Sequence, residues 1–395
     1  MKTLPLAGIT VVSLEQAVAA PFASRQLADL GARVIKIERD AGDFARGYDS
    51  KVKGMASYFV WLNRGKESVV LDLKSTQGRN VLSSIISKAD VFIQNLAPGA
   101  VDRLGFSGEA SLALNPRLIH VSISGYGAGG DDQYSSKKAY DLLIQCEAGL
   151  LSVTGTEEIP VKVGVSIADI SAGMYAYSGI LSALINRSIS GQGDILEISM
   201  LEALGEWMSQ PYFFNEYSGS PPGRTGAQHA SIAPYGPFST CDGRVFFGIQ
   251  NEREWAKFCT VALEQASAIS DARFDSNDNR VSHRDALHDL IERVFLALTT
   301  KEVISRLDVA EIANARLRDM TGYSAHPQLA ARDRWREVDS PVGPLRATVP
   351  PVTARSMAVS MGRVPALGEH TGQIYSEFSL AAPQGQAIGS SNEYG

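Results

Sequence analysis

The stretch Ile9-Thr-Val-Val-Ser-Leu-Glu-Gln-Ala-Val-Ala-Ala-Pro-Phe-Ala-Ser-Arg-Gln-Leu-Ala-Asp-Leu-Gly-Ala-Arg-Val-Ile-Lys-Ile-Glu-Arg39 reads as strand, helix, strand. Residues 9–14 and 33–39 are β-branched runs, and residues 20–30 between them place apolar side chains at three- and four-residue intervals. The rhythm continues with strands expected at 68–73, 90–95, 118–124 and 194–200 and helices at 76–88, 140–152 and 169–187. Strands alternating with helices in this way build βαβ units around a mainly parallel sheet. The fold class is therefore α/β, with a doubly wound, Rossmann-like large domain over 1–200.

The texture changes after Tyr217. Ser218-Gly-Ser-Pro-Pro-Gly-Arg224 has loop punctuation, and residues 237–250, with Cys241-Asp-Gly inside, predict a hairpin. Helices are expected at 251–265, 283–298 and 300–309. Pro327, Pro341, Pro344, Pro350 and Pro351 mark an irregular return path. The expected organisation is a large domain over 1–200 completed by 350–395, a linker at 201–225, a smaller α+β domain at 226–325 and a linker at 326–349. The Gly/Ser/Gln-rich residues 381–395 are expected to form a flexible tail.

Composition narrows the function. At 395 residues the chain exceeds the roughly 250–300 at which one core stops growing, so two lobes are expected. No run approaches the roughly 18 uncharged apolar residues of a membrane span, and Pro5 breaks the short apolar N-terminal run. A soluble, cytoplasmic protein with no membrane partner is the expectation. Three cysteines, Cys146, Cys241 and Cys259, without C-x-x-C spacing indicate neither a disulfide framework nor a zinc site. A net charge of -6 without a dense Lys/Arg block argues against nucleic acid. The expected partner is a small molecule. Gly125-Tyr-Gly-Ala-Gly-Gly130 matches G-x-G-x-x-G, but a dinucleotide fingerprint needs a helix opening at its last glycine, and a polar loop, Asp131-Asp-Gln-Tyr-Ser-Ser136, follows instead. A flexible active-site loop is the reading adopted.

Longer patterns carry more. Pro5-Leu-Ala-Gly-Ile-Thr-Val-Val-Ser-Leu14, Gly42-Asp43, Asn63-Arg-Gly-Lys66, Leu71-Asp-Leu-Lys74, Asn95-Leu-Ala-Pro-Gly99, Arg103-Leu-Gly105, Tyr140-Asp141, Asp169 with Gly173-Met174, and Leu367-Gly-Glu-His-Thr371 follow one another along most of the chain. In this order they resemble the family III CoA-transferases, the CaiB/BaiF group, which includes the 2-methylacyl-CoA racemases as relatives. The resemblance implies a carboxylate nucleophile that attacks an acyl-CoA thioester, forming an acyl anhydride and then an enzyme–CoA thioester. An incoming carboxylate reverses the steps. By matched position the nucleophile is Asp169, and its place before an apolar helix suggests that the helix dipole keeps it ionised. The resemblance likewise assigns CoA binding to Val18, Arg39, Leu71, Lys74, Asn95, Leu96, Arg103 and Lys138. No permanently bound cofactor is implied, because the CoA thioester is itself a substrate.

Tyr140 stands where the racemases carry a histidine, and Asn251 stands near their glutamate, with Gln250 or Glu252 in its place if the register shifts by one residue. Loss of both bases favours a transferase over a racemase or epimerase. Gly226-Ala-Gln-His-Ala-Ser-Ile-Ala-Pro-Tyr-Gly236 and Tyr175-Ala-Tyr177 are similar to the subgroup acting on short dicarboxylates. That implies succinyl-CoA as donor and itaconate, mesaconate or citramalate as acceptor, with an intramolecular mesaconyl-CoA C1–C4 transfer as a variant. Arg46, Arg64, Tyr140 and His229 are candidates for holding the substrate, the cationic ones for its distal carboxylate. The family architecture further implies an interlocked homodimer.

Overall fold

The computed structural model describes residues 2–378. Its chain divides into two compact units. One takes the residues up to Ala148, Gly164–Met208 and those from Asp333 on, and the other takes Gly149–Val163 and Ser209–Arg332.

The first unit is built on six parallel strands, β1 (Thr10–Leu14), β2 (Arg33–Glu38), β3 (Lys66–Val70), β4 (Val91–Gln94), β5 (Ile119–Ser124) and β6 (Asp194–Ser199), in the order β3-β2-β1-β4-β5-β6. Val11, Val12, Ile35, Val69, Phe92, Ile93, Ile119 and Val121 are all buried, because helices cover both faces of a parallel sheet. The order reverses between β1 and β4, and in open α/β sheets ligands bind beyond the strands' C-terminal ends at such a switch point.

The helix Ala19–Asp29 joins β1 to β2 and packs against the long helix Ile167–Ser190. The two approach so closely at Gly173 that a Cβ there would stand 2.6 Å from the carbonyl oxygen of Ala19 and about 3 Å from Phe22. Only glycine fits this crossing. The helix Thr371–Phe378 completes the first unit, with Ile374 and Phe378 entering the same core as Val12, Ile35 and Phe92.

Differences from the sequence reading have local causes. β3 begins and ends earlier than 68–73, because Asp72 accepts from the Lys74 N–H and Ser75 caps the next helix, turning the chain. The expected helix at 140–152 is broken at Gly149, with φ of 77°, into Asp141–Glu147 and Leu150–Val153. The stretch read as a linker at 201–225 is largely helical, as Met200–Trp207 and Ser209–Ser218. The stretch at 326–349 holds the helix Pro327–Ala331 and an antiparallel pair, Trp335–Val338 with Leu345–Thr348. The tail at 381–395 lies outside the described residues.

The second unit carries the hairpin Tyr235–Thr240 and Gly243–Gly248, joined by a third strand, Asn314–Arg316. Phe238, Phe247, Phe258 and Phe295 form its aromatic core, with ring centroids 4.6–6.2 Å apart. Arg280 is buried beside Trp255, at 4.9 Å from the ring centroid.

Candidate active site

A cavity of about 670 Å³ opens at the C-terminal ends of β1, β2, β3 and β4. It is lined by Gln16 after β1, by Arg39, Asp40 and Gly42 after β2, by Leu71 and Lys74 after β3, and by Leu96 after β4. Four residues of the sequence-based CoA set, Arg39, Leu71, Lys74 and Leu96, therefore share one wall. The Arg39 guanidinium is held by the Gly42 carbonyl at 3.0 Å and lies over the Phe44 ring, while Lys74 is exposed. Asn95 is engaged otherwise: its amide accepts from Gln16 N–H and donates to Gln16 C=O, both at 2.8 Å. It ties the β1 loop to β4. Val18 is buried directly before the helix Ala19–Asp29, and Arg103 and Lys138 are exposed outside the cavity wall.

Beneath the loop lies a cluster of buried charges that the sequence reading missed. Lys66 Nζ donates to Glu15 Oε1 at 2.7 Å, Lys36 Nζ reaches the same oxygen at 3.3 Å and Asp43 Oδ2 at 2.9 Å, and Ser24 donates to Glu15 Oε2. All four charged residues are 0–3% exposed. Burial alone raises the Glu15 carboxyl, but Lys66 and Lys36 outweigh it and hold Glu15 below its usual range. Burial pulls Lys66 down to about 8 against the attraction of Glu15. The cluster has a structural output: Asp43 Oδ1 accepts from the N–H groups of Ala17 and Ala45. Ala17 sits at φ of 60°, a left-handed conformation that a non-glycine residue keeps only when its surroundings hold it. Lys36, in the middle of β2, was the available signal, since a charge facing a core needs a partner.

Asp169 lies in the first turn of Ile167–Ser190, at the third helical position rather than at the cap. Its carboxyl is not held ionised as the dipole argument predicts. Burial, and then the neighbouring Asp141 carboxylate, push it up to about 7. Tyr48 lies beside it: burial first, then Asp43, Asp169, Tyr140 and Tyr58, push the Tyr48 phenol up to about 12. Tyr58 shares a hydrogen bond of 3.2 Å with Ser166, the residue preceding the helix, and its ring meets Tyr48 edge-on at 5.7 Å. Tyr140 is 66% exposed and directly precedes Asp141. A carboxyl raised to about 7 with the Tyr48 phenol beside it is a nucleophile with a hydrogen-bond donor nearby.

The cationic substrate candidates fare differently, and two change role. Arg64 is 5% exposed and bound bidentately to Asp29 at 2.8 Å, so its charge is already neutralised. Arg46 is bound in the same way to the buried Glu38 at 2.7 and 2.8 Å, with its guanidinium 3.7 Å from the centroid of the Phe59 ring. Both brace the fold instead of awaiting a carboxylate. His229 belongs to the second unit, stacked on Tyr235 with its Nδ1 accepting from Ser231 N–H. Two of the positions read against the racemase glutamate are engaged: Asn251 caps Glu252–Lys257, and Glu252 is paired bidentately with Arg280.

The family model for CoA-transferase family III matches residues 6–371. This chain belongs to that family. A succinate–glutarate CoA-transferase of Agrobacterium fabrum is 30% identical over 94% of this chain and 95% of its own length. A succinyl-CoA:mesaconate CoA-transferase of Haloarcula hispanica is 27% identical over 93% of this chain and 95% of its own. Among solved structures, a CaiB/BaiF family protein from Brucella suis superposes with a TM-score of 0.84 at 32% identity, covering 96% of this chain and all of its own. The transferase is thus matched across both units. Among the described residues, no helix is long and apolar enough to cross a membrane.

Proposed function

We propose that this family III CoA-transferase moves CoA from succinyl-CoA to a short dicarboxylic acid of the glutarate, mesaconate or itaconate type, through a covalent intermediate on Asp169. The observation that carries the reading is a half-buried carboxylate, raised to about 7 in the first turn of a helix, in the same unit as a cavity at the sheet's switch point whose wall includes Arg39 and Lys74. The relatives' substrates, succinate, glutarate and mesaconate, support the acid class.

The steps follow from the carboxylate. Asp169 attacks the thioester carbonyl, forming an aspartyl anhydride and expelling the CoA thiolate. The thiolate then attacks the aspartyl carbonyl, releasing the donor acid and leaving an aspartyl–CoA thioester. The acceptor carboxylate attacks that thioester, expelling the CoA thiolate and forming a second mixed anhydride, and the thiolate then attacks the acceptor's acyl carbonyl, giving the acceptor's CoA ester and freeing the Asp169 carboxylate. Arg39 and Lys74 would hold the phosphates of CoA, with Leu71 and Leu96 against its apolar parts. Since Arg46 and Arg64 are already paired, the distal carboxylate of the acid is left to other groups, with the phenols of Tyr48, Tyr58 and Tyr140 as the candidate donors.

Lys74→Ala is expected to raise KM for succinyl-CoA roughly ten- to a hundred-fold while leaving kcat nearly unchanged, the loss of one charge-assisted contact. An unchanged KM contradicts its assignment. Self-association is part of the proposal, because Ile185 and Ile189 on Ile167–Ser190 are 66% and 83% exposed. A monomer mass by light scattering contradicts a dimer.

The test of the function is a panel of free acids incubated with succinyl-CoA, the CoA esters being separated by chromatography. Transfer to five-carbon dicarboxylates with stoichiometric succinate release is expected. Hydrolysis alone, or transfer confined to monocarboxylates, overturns the reading. A control with mesaconyl-CoA and no free acid separates intramolecular transfer.

A further inference from the structure

The helix that carries Asp169 is capped from another element. Ser166 occupies the N-cap position of Ile167–Ser190, yet its side chain accepts no capping hydrogen bond. Instead Asp141 Oδ1, from the helix Asp141–Glu147, accepts from the N–H of Ala168 at 2.8 Å and from the N–H of Asp169 itself at 3.3 Å. Gln145, buried one turn further on, donates to Asp141 Oδ2 at 2.7 Å and fixes the carboxylate in place. A second carboxylate therefore occupies the positive end of the helix on which Asp169 depends.

We infer that Asp141 is a positioning residue for CoA transfer: it fixes the first turn that carries Asp169 and, by its negative charge, keeps the Asp169 carboxylate basic and hence nucleophilic. The inference rests on Asp169 being the nucleophile. The physical logic is competition for one dipole. With the helix N–H groups given to Asp141, Asp169 loses the stabilisation that would make it a weak, permanently ionised base. Burial and Asp141, in that order, set its upward shift.

Other charges near the helix are differently engaged. On Ala19–Asp29, Arg25 and Asp29 pair with each other, and Asp29 pairs also with Arg64. Glu147 on the Asp141–Glu147 helix pairs with Lys137, and on the helix itself Arg187 pairs with Asp90. On β6, Glu197 bonds the Ala128 N–H and Asp194 the Ile195 N–H. His120 on β5 is buried and pulled down to about 4 by burial, and Glu202 and Glu206 lie on Met200–Trp207. Tyr48 lies beside Asp169, Tyr58 bonds Ser166 just before the helix, Tyr140 directly precedes Asp141, and Tyr175 and Tyr177 follow Asp169 on its own helix.

The test uses two neutral caps, Asp141→Asn and Asp141→Ser, and the charged Asp141→Glu, with kcat/KM measured against pH. The acidic limb is expected to move to lower pH by about one unit or more in both neutral variants, as removal of a like charge requires. The plateau should fall several-fold, and Asp141→Glu should return the limb towards its original position. A uniform fall in rate with an unmoved limb overturns the inference, leaving Asp141 as a structural cap. Should both neutral variants fail to fold, carbon-13 titration of the wild-type aspartates decides: Asp141 must stay ionised across the range in which Asp169 titrates, and an Asp141 protonated there overturns it. Hydroxylamine labelling of Asp169 in wild type is the separate control: its absence sinks the nucleophile assignment and this inference with it, whereas a labelled Asp169 with an unmoved limb overturns this inference alone.

Discussion

Asp169→Asn is expected to lose CoA transfer by a factor on the order of 10⁴ or more, as removal of a covalent nucleophile does, and at the same time to become more stable than the wild type at neutral pH. The second half follows from linkage. The ordinary aspartate value is 3.8, and in the folded protein burial and Asp141 raise Asp169 to about 7. Between those values the unfolded chain has released a proton that the folded chain retains, so wild-type stability falls as pH rises through the window. The asparagine variant carries no such proton. Its advantage should grow from roughly pH 4 to pH 7 and hold above it, at about 2 kcal/mol once partial solvent access is allowed for. Denaturant melts at pH 5 and pH 8 check this. An equal stability difference at both pH values contradicts the buried, raised carboxyl, whatever the activity shows.

Glu15→Gln should have the largest effect on the fold. Glu15 Oε1 is shared by Lys66 and Lys36, and Lys66 has no other carboxylate in hydrogen-bond contact among the described residues. Removing the charge leaves an unpaired buried ammonium, which costs about 3–5 kcal/mol. The pH dependence runs in two directions. Glu15, held below its usual 4.5, contributes fully above that value, and the contribution is lost as acid titrates it. Towards alkaline pH the difference from wild type should narrow, because Lys66 can shed its proton when its partner is gone. Urea titrations of both proteins at several pH values measure it. A flat loss below about 1 kcal/mol would mean that the cluster is not the keystone of the loop. Because Asp43 links this cluster to Ala17, the variant should also weaken acyl-CoA binding in the fraction that remains folded.

The sheet was legible because its strands are apolar on both faces: the runs around Val11, Ile35, Phe92 and Val121 need no context to be read as buried strands. Asp169, Arg39, Lys74 and Leu96 became candidates through motif order, and no periodicity would have singled them out. Three features lay beyond sequence pattern. The helix Ser209–Ser218 carries Tyr212, Phe213 and Phe214 in succession, so it shows no apolar stripe and passed for a linker. The pairing of Arg46 with Glu38 and of Arg64 with Asp29 depends on burial, and an arginine in a motif looks the same whether it binds a carboxylate of the ligand or of the protein. The Asp141 cap joins residues 27 and 28 positions apart through tertiary packing, and it reverses the sign of the pKa argument that a helix N-terminus alone suggests.

The nucleophile assignment is tested most directly by trapping. Wild-type protein incubated with succinyl-CoA in the presence of hydroxylamine should convert one aspartate to its hydroxamate, as hydroxylamine attacks the aspartyl carbonyl of the anhydride or thioester. Peptide mapping by mass spectrometry should place that modification at Asp169, with none in the Asp169→Asn variant. A hydroxamate on any other carboxylate, or active turnover with no modified carboxylate at all, contradicts covalent transfer through Asp169.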